Sequence, residues 1–258
     1  MLEAGLWAGL GQSALIVGAL LVARFRRLTE PRWLGLVMAF GAGALISAVT
    51  TDLVVEAYHE AGRAATGAGL LVGSVGYYVL TEYLNRRAER EDPEEPVEEA
   101  AAAGVEALPA AADTRAARNL TVGMVLDGIP ESVAIGLTLL GSGNVSVALV
   151  GAVFLSNLPE AIGVAAALLA GRMPLSQVLL RFGAIVAVGA IAGAVGYGLL
   201  NESDANLIAI IQSTAAGAMI VVVVNEMVPI AVRGAKRHAG LAAAAGFAVA
   251  AFLATLNA

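Results

Sequence analysis

The sequence has no cysteine, only two histidines in 258 residues, and few charges, with 14% of the chain Asp, Glu, Lys or Arg. Each shortage excludes something. Without cysteine there is no disulfide and no thiolate metal site, and the redox compartment is not readable. Soluble domains carry roughly a quarter charged residues. At 14% a chain of this length cannot cover a water-facing surface with polar groups. The net charge of −6 is concentrated in one acidic stretch. No basic patch accompanies it, so no nucleic-acid partner is implied. The start, MLEAGLWAGLGQ, lacks a basic n-region and places an acid at Glu3, so it is not expected to be a cleaved signal peptide.

What is abundant is apolar. Hydrophobic residues make up 59% of the chain and the mean hydropathy is +0.80. A membrane-crossing helix needs about 20 mostly apolar residues. Eight segments qualify, at about 4–23, 33–57, 65–84, 119–140, 146–170, 177–199, 206–231 and 239–257. The expected fold class is therefore an all-α integral membrane protein of eight transmembrane helices, a single transmembrane domain over 1–258. Residues 85–118 are acidic, Ala-rich and punctuated by proline. Such a composition cannot bury a core, so a mobile loop is expected there.

Basic residues orient the chain. Of 15 Lys and Arg, 14 fall after spans one, three, five and seven, and only Arg63 falls on the other side. Positive charge marks the cytoplasmic side. Both termini are then expected outside, the long loop inside, and the host membrane to be the cell inner (plasma) membrane.

An internal repeat joins the two ends of the chain. AFGAGALISAVTTDLVVEA (39–57) aligns without gaps on STAAGAMIVVVVNEMVPIA (213–231), with seven of 19 positions identical. The acids Asp52 and Glu226 coincide. Spans two and seven run in opposite directions by the topology above, so the expected arrangement is 3+2+3, an inverted repeat of spans 1–3 and 6–8 around a central pair.

The spans contain Asp52, Glu56, Asp127, Glu131, Glu160 and Glu226, yet no Lys or Arg lies in a span interior. An ionised carboxylate at the bilayer centre is costly and normally paired. With no basic partner available, the counter-charge must be a proton or a metal cation. Asp127 and Glu131 are four residues apart and share a helix face, and Ser156 and Glu160 repeat that spacing on the next span. Asn157 lies beside them. Pro130 and Pro159 precede the two glutamates, and each frees a backbone carbonyl, of Leu126 and Leu155, beside a carboxylate. A freed carbonyl is tolerated within a membrane only where a cavity, ion or neighbour satisfies it. The weaker candidates are helix-end His59 and His238, the small-residue pairs Gly69/Gly73 and Gly189/Gly193 expected to pack helices, Gln212 and Asn225 as interhelical bonds or path-lining groups, and Tyr77, Tyr78 and Glu82 as interface anchors.

With these features the chain resembles the ZIP (Zrt/Irt-like protein) family of divalent-metal transporters. The resemblance covers all eight spans and omits the long loop. The family's span-four motif, His-Asn-x-Pro-Glu-Gly, stands here as Asp127-Gly128-Ile129-Pro130-Glu131-Ser132. Its span-five motif stands as Ser156-Asn157-Leu158-Pro159-Glu160-Ala161, and its span-seven motif as Glu226-Met227-Val228-Pro229-Ile230. Both motif histidines are replaced, by Asp127 and Ser156. The resemblance implies a divalent metal site of Asp127, Glu131, Ser156, Asn157 and Glu160; the inverted repeat, with unpaired acids at matching positions, puts Asp52 and Glu226 on the transport path. It implies inward movement by alternating access, no enzymatic activity and no cofactor beyond the transported ion: zinc, manganese or iron. Carboxylate and hydroxyl donors suit harder ions such as manganese, whereas zinc favours nitrogen and sulfur. The expected partners are that ion and the lipid bilayer, with homodimer formation left open. The alternative is a proton-coupled carrier of a small organic solute with a degenerate metal site. An intramembrane enzyme is disfavoured, since no histidine lies mid-span to serve a serine nucleophile.

Overall fold

The computed structural model describes residues 1–25, 30–91, 114–141 and 144–256. Among these every regular element is a helix. We label them α1 (Leu2–Arg24), α2 (Pro31–Val49), α3 (Val55–Glu91), α4 (Thr114–Gly141), α5 (Val147–Ala170), α6 (Leu175–Leu200), α7 (Ala205–Val222), α8 (Val228–Ala235) and α9 (Ala239–Leu256). Residues 92–113 of the expected mobile loop lie outside the described residues. The flanking 85–91 and 114–118 are helical.

The helix starts follow from local chemistry. Pro31 opens α2, where its missing N–H costs nothing. Ser146 caps α5 by accepting from Leu149 N at 3.0 Å, and Asp204 caps α7 by accepting from Leu207 N at 2.8 Å.

Five stretches are long and apolar enough to cross a membrane: 2–24, 31–84, 147–169, 175–200 and 205–255. The second and fifth, of 54 and 51 residues, are more than twice the length that a crossing needs. Each is broken once. Gly62 takes φ 75°, ψ 177°, a backbone region essentially reserved for glycine, and it splits α3. Lys236 takes φ 51°, ψ −130° and separates α8 from α9. In α4 the apolar part is Gly128–Leu140, which contains Pro130.

The two segments that align in sequence also share an irregularity. A π turn spans Thr50–Val54 after α2, and another spans Val223–Met227 after α7. In the alignment 50–54 corresponds to 224–228, so the two turns coincide to within one residue. Each carries the aligned acid, Asp52 or Glu226. The packing is paired in the same way. Helix α3 packs on α7 as α9 packs on α2, α4 on α6 as α1 on α5, and α2 on α5 as α4 on α7. The aligned glycines serve equivalent contacts. A Cβ at Gly43 would run into Ala243 O in α9, and one at Gly217 into Leu70 O in α3. Small residues thus let backbones touch, as membrane helices require. Gly69 and Gly73 do the same against Ile210 O and Thr214 O of α7.

The core between helices is built of Ala, Val, Leu and Met, including Ala8, Leu45, Leu53, Ile135, Val153 and Met219. The perimeter is also apolar, with Leu71, Val72, Ile191, Leu199, Leu241 and Phe252 well exposed. A helix bundle with apolar residues on both its inside and its outside belongs in lipid rather than in water.

Candidate functional site

Helices α4 and α5 both carry a proline inside, Pro130 and Pro159. They meet at the residues following and preceding these prolines. Glu131 on α4 is 2% exposed and Asn157 on α5 is 4% exposed. Asn157 Nδ2 donates to Glu131 Oε2 at 2.9 Å. Ser156 Oγ lies 3.5 Å from Glu131 Oε1 and donates at 2.9 Å to its own helix at Val153 O. Its single proton is therefore best used on the backbone, and its lone pairs remain available. Glu160, one turn further along α5, is half-buried and has no hydrogen-bond partner among the described residues. No Lys or Arg pairs with either glutamate among the described residues.

A fourth residue completes this cluster, one that no pattern in the sequence singles out. Gln12 of α1 is 1% exposed. Its Nε2 donates to Glu131 Oε2 at 3.3 Å and to Gly128 O at 3.2 Å, while its Oε1 accepts from Asn157 Nδ2 at 3.4 Å. A lone glutamine in an apolar helix has no periodicity or spacing to mark it. Only the tertiary approach of α1 to α4 and α5 makes it a site residue.

Of the expected ligands, the structure brings Glu131, Ser156 and Asn157 into direct contact and sets Glu160 on the same helix one turn away. Asp127 is one turn before Glu131 on α4, but its side chain lies outside the described residues. Among the described residues no three His, Cys, Asp or Glu side chains gather as a metal cluster. The donors that do converge are carboxylate, amide and hydroxyl. The carbonyl that Pro159 frees on Leu155 lies against Gly41 of α2, where a Cβ would stand 2.8 Å from it. It is covered by a neighbouring backbone, one of the ways in which such an oxygen is tolerated.

The other acids occupy flanking positions. Glu226 lies within electrostatic reach of both Glu131 and Glu160, and Tyr77 Oη donates to Glu226 Oε1 at 3.3 Å. Tyr77 is buried, so it is not the interface anchor that its place in the span suggested. Asp52 accepts from Thr51 Oγ1 at 2.7 Å and is hydrogen-bonded to Ser146 Oγ. This ties the π turn to the N-terminus of α5. Gln212 Nε2 donates to Glu56 at 3.4 Å, an interhelical bond. Asn225 lines a shallow, largely apolar outer groove with Ser74 and Tyr78. His59 is exposed and stacks edge-on against Tyr58.

Apolar helices of crossing length, together with a buried carboxylate ringed by neutral oxygen and amide groups, define a multi-pass membrane protein with an internal polar site. The family model for the ZIP zinc transporter matches residues 85–254. The chain belongs to the ZIP family and is thereby a metal transporter. A comparison with curated proteins gives no match.

Proposed function

We propose that the chain moves a divalent cation toward the cytoplasm by alternating access through a mid-membrane site of Asp127, Glu131, Ser156, Asn157 and Glu160. The observation that carries this reading is the state of Glu131. It is a carboxylate removed from the surface, with no cationic side chain against it among the described residues and a hydrogen-bonded cradle around it. A buried negative charge needs compensation, and the chemistry left in the cluster is that of cation ligands. Asn157 uses both Nδ2 protons on Glu131 and Gln12, which leaves Oδ1 uncommitted. Ser156 presents lone pairs, and the Glu160 carboxylate has no hydrogen-bond partner among the described residues. These are oxygen donors, which favour manganese or iron(II) over zinc on donor type alone.

In this reading the breaks at Gly62 and Lys236 divide the two long apolar stretches, and α4 adds one more crossing, for eight in all. Spans 1–3 and 6–8 form the inverted halves of a 3+2+3 arrangement, with α4 and α5 as the moving pair. The coincident π turns and the paired helix contacts support that division. Asp52 lies on the entry path and Glu226 on the exit path. Both termini face outward from the plasma membrane.

The test is uptake of Zn²⁺, Mn²⁺ and Fe²⁺ into proteoliposomes, with the Glu131→Ala/Glu160→Ala double variant as control. Uptake by the wild type and none by the double variant is expected. Undiminished uptake by the double variant, or by Glu160→Gln alone, refutes the site.

A further inference from the structure

Gln12 stands in an unusual place. It is a polar side chain from the first helix, which carries none of the motif residues, yet it reaches the site carboxylate on α4 and the site amide on α5. Space has been made for it on two sides. A Cβ at Gly128 would sit 3.0 Å from Gln12 Nε2 and 3.1 Å from its Oε1. A Cβ at Gly189 of α6 would sit 2.8 Å from Ser132 Oγ and 2.9 Å from Gln12 Cγ. A methyl group at either position would press on the glutamine, and a longer side chain at position 128 would compete with its amide for the same space.

Its bonding shows which job it does. Gly128 O and the Glu131 carboxylate are both acceptors, so the amide NH₂ must face them. Both Nε2 protons are thereby used, and Oε1 is taken by Asn157. Every polar atom of Gln12 is thus engaged with a neighbouring group of the cluster. It sets the orientation of those groups. With Gln12 and Asn157 both donating to Oε2, the Glu131 carboxyl group is fixed in rotation, and Oε1 is the oxygen turned to Ser156.

We propose that Gln12 is a positioning residue of the metal site, and that its amide occupies the volume that a side chain at position 128 would otherwise fill. Gly128 is where the motif on this span carries asparagine. The amide is therefore retained in the cluster but supplied from a different helix. This inference rests on the proposed site at Glu131 and Glu160, and it adds α1 to that site. Partners that orient a ligand in this way are typically worth 10–100-fold in metal affinity.

Four variants test it: Gln12→Met, which keeps length and apolar packing but no hydrogen bond; Gln12→Ala; Gly128→Asn; and the combination Gln12→Ala/Gly128→Asn. Each is read by apparent KM and maximal rate of Mn²⁺ and Zn²⁺ uptake in proteoliposomes, and by metal-induced thermal stabilisation in detergent, which needs no transport. Gln12→Met is expected to raise KM by roughly 10–100-fold and to lose the metal-induced shift, with its metal-free melting temperature close to wild type. Gly128→Asn alone is expected to impair uptake because the two amides compete for one place. The combined variant should recover most of the lost affinity. Wild-type KM in Gln12→Met overturns the positioning role. A combined variant no better than the worse of Gln12→Ala and Gly128→Asn overturns the shared-volume claim. If the wild type itself neither takes up nor is stabilised by any metal, the site reading fails first. That outcome is distinct, because all variants would then match the wild type.

Discussion

Gly41 offers a direct test of the packing that positions the site. It faces α5 where the chain passes from Leu155 to Ser156. A methyl group there would lie 2.8 Å from Leu155 O, 2.9 Å from Ser156 Cα and 3.0 Å from Leu155 C. The obstructing atoms are all backbone, so no side-chain rotation relieves the contact. Ordinary van der Waals contact begins near 3.4 Å, so α2 and α5 must separate by about 0.6 Å in the Gly41→Ala variant. Overpacking of that kind typically costs about 1–3 kcal/mol. The same displacement shifts Ser156 and Asn157 relative to Glu131, to which the Ser156 Oγ distance is already 3.5 Å. Sites tolerate about 0.5 Å of misplacement, and a 1 Å error can cost about 100-fold in rate. About tenfold slower uptake is expected, with a lower melting temperature. Gly151→Ala is the matched control on α5, because a Cβ there meets nothing within 4 Å. It should leave uptake unchanged and hold or raise the melting temperature, since alanine is favoured over glycine within a helix by about 1 kcal/mol. Both readouts come from one preparation. Wild-type uptake and stability in Gly41→Ala would show that α2 does not support the site at this distance.

Three further outcomes are expected. Replacing Asp127 and Ser156 together by histidine should shift uptake preference toward Zn²⁺ over Mn²⁺, because imidazole suits zinc; an unchanged order in competition uptake means that neither side chain touches the ion. Asp52→Cys should react with an impermeant thiol reagent from outside and Glu226→Cys from the cytoplasmic side, with transported metal slowing both. The native chain supplies no cysteine background, and labelling from a single face contradicts the inverted arrangement. Gly62→Ala meets no steric obstacle but forces a side chain into a backbone region reserved for glycine, so it should lose about 1–3 kcal/mol of stability. A thermal melt matching wild type would show that the chain can turn there without the glycine.

Much of the helical architecture is legible in the sequence, because an apolar run near 20 residues in a chain this poor in charge fits little besides a membrane crossing. The meeting of Glu131 with Ser156 and Asn157 is legible too, because both stretches carry a proline and a glutamate at the same spacing on consecutive helices. Gln12 is not. Its role depends on which helix α1 packs against, and glycines at 128 and 189 announce only that something comes close. Tyr77 misleads because an aromatic residue near a span end usually anchors at the interface, whereas this one turns inward to Glu226. The break at Gly62 is one glycine among 30, and nothing in the local pattern sets it apart from the packing glycines at 69 and 73. The π turns leave no mark in composition or periodicity, although the alignment that brings Asp52 onto Glu226 coincides with both of them.

Those two turns also set the phase of the helices beyond them. A π turn holds one residue more than the α turn it replaces, so the helix that follows is out of phase by about 100°, one residue's rotation at about 3.6 per turn. Each turn is a place in its apolar stretch where a single residue can be removed and leave an uninterrupted α-helix. Such a deletion at 50–54 or 223–227 would not shorten either stretch below a crossing. It would instead swing everything on one side of the cut by about 100° relative to the other, and the faces that α2 and α3, or α7 and α8, present on either side of the turn would no longer address the neighbours they now meet.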